Sequence, residues 1–138
     1  MRRLHVLLVE NDVDARSLYG FMLFKAGFQV STAQNGFEAL AVMQERRPNI
    51  IITDIAMPVL SGVDLIKLVR SREEYADLPL IAMTGHGEKI RRLATAAGAN
   101  KAMDKPISEV EMREAIESVL PLEEIKRTNP PAPLIPNE

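Results

Sequence analysis

Five short apolar runs alternate with five helix-forming stretches along this chain, and that alternation limits the folds open to it more than any other feature. The runs cover residues 4–9, 28–32, 50–54, 80–84 and 100–104. The third, Ile50-Ile51-Ile52-Thr53-Asp54, offers apolar side chains to both faces of a strand. Central parallel strands have this character, because crossover helices cover the sheet on both sides. Helices are predicted between and after the runs, over residues 12–26, 36–46, 62–70, 88–97 and 109–120. Asn11 or Asp12 can cap the first helix, and Gly27 can stop it in the left-handed conformation. Asn35-Gly36-Phe37-Glu38 and Ser108-Glu109-Val110-Glu111 read as capping boxes, Ser61 opens the third helix, and Gly98 closes the fourth. Strict alternation of this kind implies right-handed crossovers and a doubly wound, five-stranded parallel sheet of the α/β class.

A length of 138 residues suits one domain with a single core. The pattern fails from Pro121 onward, where Asn129-Pro130-Pro131-Ala132-Pro133 can continue neither helix nor sheet. The expected organisation is a folded domain over residues 1–121 and a Pro-rich flexible tail, or linker stub, over 122–138. A net charge of −2 with scattered lysines and arginines argues against general binding to nucleic acid or anionic membrane. The absence of cysteine excludes disulfides and thiolate metal sites. The first apolar run stops at Glu10 after six residues. A secretory segment needs roughly 7–15 and a membrane span about 20. A cytoplasmic protein is expected.

In open α/β sheets, ligands sit beyond the carboxyl ends of the strands. Here Glu10-Asn11-Asp12 follow the first run, Asp54 ends the third, Thr84 ends the fourth, and Asp104-Lys105-Pro106 close the fifth. Acids, a hydroxyl and a lysine at one sheet edge suit phosphoryl and divalent-metal chemistry. Each residue alone has a plainer role. Asp54 could form a turn, Thr84 could be a strand residue or helix cap, and Lys105 could be a solvated loop lysine. Glu10 could favour the positive end of the first helix. Asp12 and Asp14 read as first-turn helix acids, since the Asp-x-Asp-x-Asp-Gly calcium loop is absent. His5, inside an apolar run, reads as structural.

Taken together, Val9-Glu10-Asn11, Asp54-Ile55-Ala56-Met57-Pro58 with Ser61-Gly62, Met83-Thr84 and Asp104-Lys105-Pro106 resemble the response-regulator receiver domain of two-component signalling. The likeness spans residues 4–120. It implies a flavodoxin-like sheet of strand order 2-1-3-4-5 and a phosphoacceptor, Asp54, that takes a phosphoryl group from a histidine kinase or phosphotransfer protein. It also implies a Mg²⁺ ion held by Asp54, the backbone carbonyl of Ala56 and the acidic-pair positions Glu10 and Asn11. Lys105 and Thr84 would contact the phosphoryl oxygens, and Pro106 would follow a cis bond. The implied output is altered protein–protein binding to a downstream target, with homodimerisation through the fourth helix, fifth strand and fifth helix as one form. Catalysis beyond self-phosphorylation and autodephosphorylation is not expected.

Two residues depart from the family pattern. Asn11 replaces a carboxylate, which removes one negative charge and is expected to weaken Mg²⁺ binding. Ala102 stands where many receivers carry an aromatic ring, so a switch built on that ring is not available. By the same resemblance, Ala56 and His86 flank the route of the hydrolytic water, though His86 also reads as an exposed loop histidine. Three rivals remain at this stage: a pseudo-receiver scaffold with little phosphorylation, an aspartyl-phosphate phosphohydrolase, and a flavin-binding fold. The last lacks a phosphate-cradling glycine loop after the first strand.

Overall fold

The computed structural model describes residues 3–85 and 87–120. Five strands, β1 (His5–Val9), β2 (Gln29–Ala33), β3 (Ile50–Asp54), β4 (Leu80–Thr84) and β5 (Lys101–Asp104), form one sheet. Its order is β2-β1-β3-β4-β5, and every pairing is parallel. The helices are α1 (Val13–Lys25), α2 (Gly36–Glu45), α3 (Gly62–Ser71), α4 (Glu88–Ala97) and α5 (Glu109–Val119). Among the described residues, no helix is long and apolar enough to cross a membrane.

Strand alternation divides the core in two. Leu7 and Val9 of β1, Ile51 of β3 and Leu80 and Ala82 of β4 pack with Met43, Leu65, Ile66, Val69 and Ala94 from α2, α3 and α4. Val6 and Leu8, Ile50 and Ile52, and Ile81 and Met83 pack instead with Tyr19 and Leu23 of α1 and Met112, Ala115 and Ile116 of α5. Successive side chains point to opposite faces, so an apolar run without alternation serves both layers. That is why β3 is buried throughout.

Local chemistry sets the element ends. Asp12 caps α1, accepting from the Ala15 amide at 2.8 Å. Gly27, at φ 103°, ends it, and Phe28 still donates to the Leu23 carbonyl, so β2 begins one residue later than its apolar run. The capping box at Ser108 and Glu111 is complete. The one at Asn35 is half formed: Asn35 accepts from the Glu38 amide, but Glu38 turns back to the Gln34 amide. Gly87, at φ 85°, precedes α4 without a side-chain cap, so Thr84 is not the cap of that helix.

The 3-10 turn at Glu73–Tyr75 has no periodic signal in the sequence. Arg70 of α3 gathers the carbonyls around it, donating to Tyr75, Ala76, Leu78 and Gly98, and to the Asn100 side chain. Asn100 also accepts from the Leu80 amide, which takes its side chain out of the approach to β5 and into a brace on β4.

Candidate functional site

The register brings the carboxyl ends of the central strands level. Val9 pairs with Thr53, Asp54 with Met83, and Thr84 with Asp104. The ladder continues one step beyond each strand, with Ile55 donating to the Met83 carbonyl and Lys105 to the Thr84 carbonyl. Glu10, Asp54 and Lys105, far apart in sequence, therefore meet at one edge.

Their contacts are short and screened from water. Lys105 Nζ lies 2.5 Å from Glu10 Oε1 and 3.5 Å from Asp54 Oδ2. Glu10 is 1% exposed and Asp54 6%. The second oxygen of Glu10 accepts from the Asp12 amide at 3.1 Å, and Asp54 Oδ1 accepts from the Ile55 amide at 2.9 Å. Burial and the neighbouring Glu10 raise the Asp54 pKa above the ordinary carboxylate value, and Lys105 only partly opposes them. Burial works against the Lys105 ammonium as well, yet its bond to Glu10 and the charge of Asp54 hold its pKa above the usual lysine value. Two carboxylates thus share one cation, and a surplus negative charge stays in a poorly hydrated mouth.

The other residues singled out from sequence fall around this core. Thr84 is fully buried at the end of β4, one position past the partner of Asp54. Asn11 and Ala56 are exposed at the rim. The Lys105–Pro106 bond is cis. Ala102 pairs with Ala82 and lines a recess of about 550 Å³ with Glu88, Arg91, Arg92, Thr95 and Ala96. Asp104 turns away from the mouth to an ion pair with Arg91. His5 is structural: it is buried, with Nε2 2.6 Å from Ser31 Oγ. His86 lies outside the described residues, as does the segment 121–138.

Two supporting residues were not identified from sequence. Arg16, one turn into α1, donates to the carbonyls of Glu10 and Asn11 at 2.8 and 3.4 Å and so clamps the acidic loop. Its spacing from Asp12 was the available signal. Tyr19 accepts from the Ile107 amide at 3.2 Å, and its ring centre lies 5.9 Å from Lys105 Nζ. In the sequence it is indistinguishable from a core aromatic.

Among the described residues, no group of three or more acidic, histidine or cysteine side chains could hold a metal ion. Any cation here must take neutral oxygens and water as well as carboxylate. Hard divalent ions of the magnesium type accept such a set.

A doubly wound sheet of order 2-1-3-4-5, with an acid–lysine cluster beyond its central strands, defines the flavodoxin-like class with a polar mouth at the strand ends. Within that class the chain belongs to the response regulator receiver domain family, whose model matches residues 6–117. The phosphate regulon transcriptional regulatory protein PhoB of Rhizobium meliloti is 34% identical over 83% of this chain; the chain spans about half of that relative's length, 51%. The chemotaxis protein CheY4 of Vibrio cholerae superposes with a TM-score of 0.81 at 31% identity, covering 86% of this chain and 99% of that one. The receiver domain of the sensor histidine kinase PA1611 of Pseudomonas aeruginosa gives 0.79 at 26% identity, covering 84% and 96%. That structure has a magnesium ion coordinated in its active-site cleft. The chain is thus a receiver of two-component signalling. Receivers are signalling proteins that act with histidine kinases or phosphotransfer proteins and with downstream targets, and not as classical enzymes.

Proposed function

We propose that Asp54 is the phosphoacceptor of this receiver, and that Lys105 and Thr84 hold the phosphoryl group once it is in place. One observation carries the reading: a single ammonium bridges Asp54 and Glu10 inside a buried mouth. A carboxylate oxygen of Asp54 attacks phosphorus, the phosphorus–nitrogen bond of the donor phosphohistidine breaks, and the imidazole leaves with its electron pair. The resulting acyl phosphate carries about two negative charges where the carboxylate carried one, a net gain of about one, now spread over the phosphoryl oxygens. Lys105, now closer to Glu10 than to Asp54, is drawn to the new oxygens and gives up part of its bond to Glu10. Transfer of this kind depends on alignment and on positive charge around the phosphoryl oxygens.

The surplus negative charge also suits a Mg²⁺ ion. Asp54, the Ala56 carbonyl and the Asn11 amide oxygen would hold it, with Glu10 acting directly or through water. The ion would neutralise crowded oxygens. Asn11 contributes an oxygen but no charge, so Asn11→Asp is expected to bind Mg²⁺ roughly three- to tenfold more tightly. Calorimetric titration of both proteins tests this, and equal affinities would reject it.

The output we propose is a changed affinity for a protein target in the cytoplasm, read on α4, β5 and α5. Leu93 and Val110 are exposed there, whereas Ile90 packs inward. Homodimerisation through this face is one form the output could take. We retain a folded unit over 1–121 and a tail over 122–138. The chemistry of the chain on itself would be limited to gaining and hydrolysing its own acyl phosphate.

The decisive test is incubation with acetyl phosphate and Mg²⁺, followed by intact mass. Wild type should gain one phosphoryl group and Asp54→Asn none. A wild type that gains nothing would make the chain a pseudo-receiver scaffold.

A further inference from the structure

At the opposite pole of the sheet, where β1, β2 and β3 begin, lies a second polar recess. It measures about 310 Å³ and is lined chiefly by Arg3, His5, Gln29, Arg46, Arg47 and Asn49. The three arginines carry all the formal charge of that wall. Among the described residues none of them has a carboxylate partner, although Arg91, Arg92 and Lys105 each have one. In a chain of net charge −2, this is a local concentration of cations.

Two of the guanidinium groups are positioned by neighbours. Arg46 donates to the Gln29 side chain. Arg47 donates to the Glu74 carbonyl and lies over the Tyr75 ring, 5.8 Å from its centre. A guanidinium has five N–H donors in a fixed fork, and each of these hydrogen bonds uses one. The floor is His5, buried and hydrogen-bonded to Ser31. Burial pushes its pKa down, the Arg47 carbonyl works the other way, and the Arg46 charge lowers it further, which favours a neutral ring.

We propose that this recess binds a small, multiply charged phosphate-type anion of about the size of diphosphate. Guanidinium forks match phosphate oxygens in pairs. The volume is at the low end for ligand sites, about 300 to 1,000 Å³, which fits diphosphate or a phosphate-ester headgroup better than a whole nucleotide. The site does not depend on Asp54, since the length of the sheet separates them. A soluble phosphate ester and a phosphorylated lipid headgroup share the required chemistry.

The chain carries its own reporters. Its two histidines are His5, in the recess, and His86, two residues after Thr84 in sequence. Titrating the full chain with sodium pyrophosphate at low ionic strength, followed by proton NMR of the imidazoles, should move His5 saturably. Arg3→Ala and Arg46→Ala, both at exposed positions, should each weaken binding about tenfold, the usual effect of losing a charged hydrogen bond. Movement of His86 without movement of His5 would place the anion outside the recess and overturn the proposal. So would an absence of response, or variants that bind like wild type. Phosphatidylcholine vesicles containing phosphatidylinositol bisphosphate separate the sources. Vesicle binding displaced by pyrophosphate supports the site with a lipid headgroup as ligand, and pyrophosphate binding without vesicle binding supports it with a soluble ester. Vesicle binding that survives both arginine substitutions would count against it.

Discussion

Lys105→Met is expected to destabilise the domain by about 3 kcal/mol at neutral pH, the scale for leaving buried charges without their partner. Glu10 and Asp54, 1% and 6% exposed, would then face each other without a cation. The direction with pH follows from linkage. Burial and Glu10 already raise the folded-state pKa of Asp54, and Lys105 opposes that rise. Removing Lys105 must raise it further. A group with a raised folded pKa binds its proton more readily folded than unfolded, so the variant's deficit is largest above that pKa and shrinks as pH falls through it. In wild type the pKa of Lys105 is itself raised. Its stabilising contribution is complete below the ordinary lysine value and lost only as pH rises through the raised one. Urea unfolding of both proteins between about pH 5 and 8 should show the curves converging toward acid. A deficit that grows toward acid would remove the argument for two crowded carboxylates. The variant should also fail to accumulate the acyl phosphate on treatment with acetyl phosphate.

Gly62→Ala is expected to be comparably severe, about 3 kcal/mol or more, because the clash is with backbone. A Cβ at Gly62 would lie 2.3 Å from the Asp54 carbonyl oxygen and 2.7 Å from the Ile55 Cα. Gly62 also donates to the Ile55 carbonyl at 2.9 Å, closing the loop that returns the chain from β3 to α3. That loop holds Val59 at φ 71°, an unfavourable conformation for a β-branched residue, so it has little room to adjust. The end of β3 and Asp54 with it must move. Gly36→Ala is the milder comparison: its nearest neighbours would be Leu60 side-chain atoms, Cδ2 at 2.4 Å and Cγ at 2.9 Å, so Leu60 must repack, whereas at Gly62 the obstacle is backbone. Equilibrium unfolding of the two variants should separate them clearly. Gly62→Ala within about 1 kcal/mol of wild type would show that the loop yields.

The fold was legible because burial wrote itself into composition. Strands covered on both faces must be continuously apolar, so residues 50–54 and 80–84 were located to the residue. β1, β2 and β5 each begin one residue later than their runs; at β2 and β5 a turn and a side chain, Gly27 and Asn100, compete with the ladder. The 3-10 turn at Glu73–Tyr75 had no periodic signal; it depends on Arg70 collecting the carbonyls of Tyr75, Ala76 and Leu78 together with that of Gly98. In the site, Asp54, Thr84 and Lys105 could be named from strand ends and resemblance. The closeness of Lys105 to Glu10, across 95 positions, is a property of strand order and register. So are the supports from Arg16 and Tyr19, whose partners lie on other elements or in backbone groups that sequence does not display.

The chain has two tyrosines and no tryptophan, so its intrinsic near-ultraviolet emission comes from the tyrosines. Tyr19 lies 5.9 Å from the Lys105 ammonium and Tyr75 5.8 Å from the Arg47 guanidinium. Each pole of the sheet therefore owns a built-in optical probe. Tyr75→Phe would leave the light to the ring beside Lys105, and Tyr19→Phe to the ring beside the arginine recess, with no label attached.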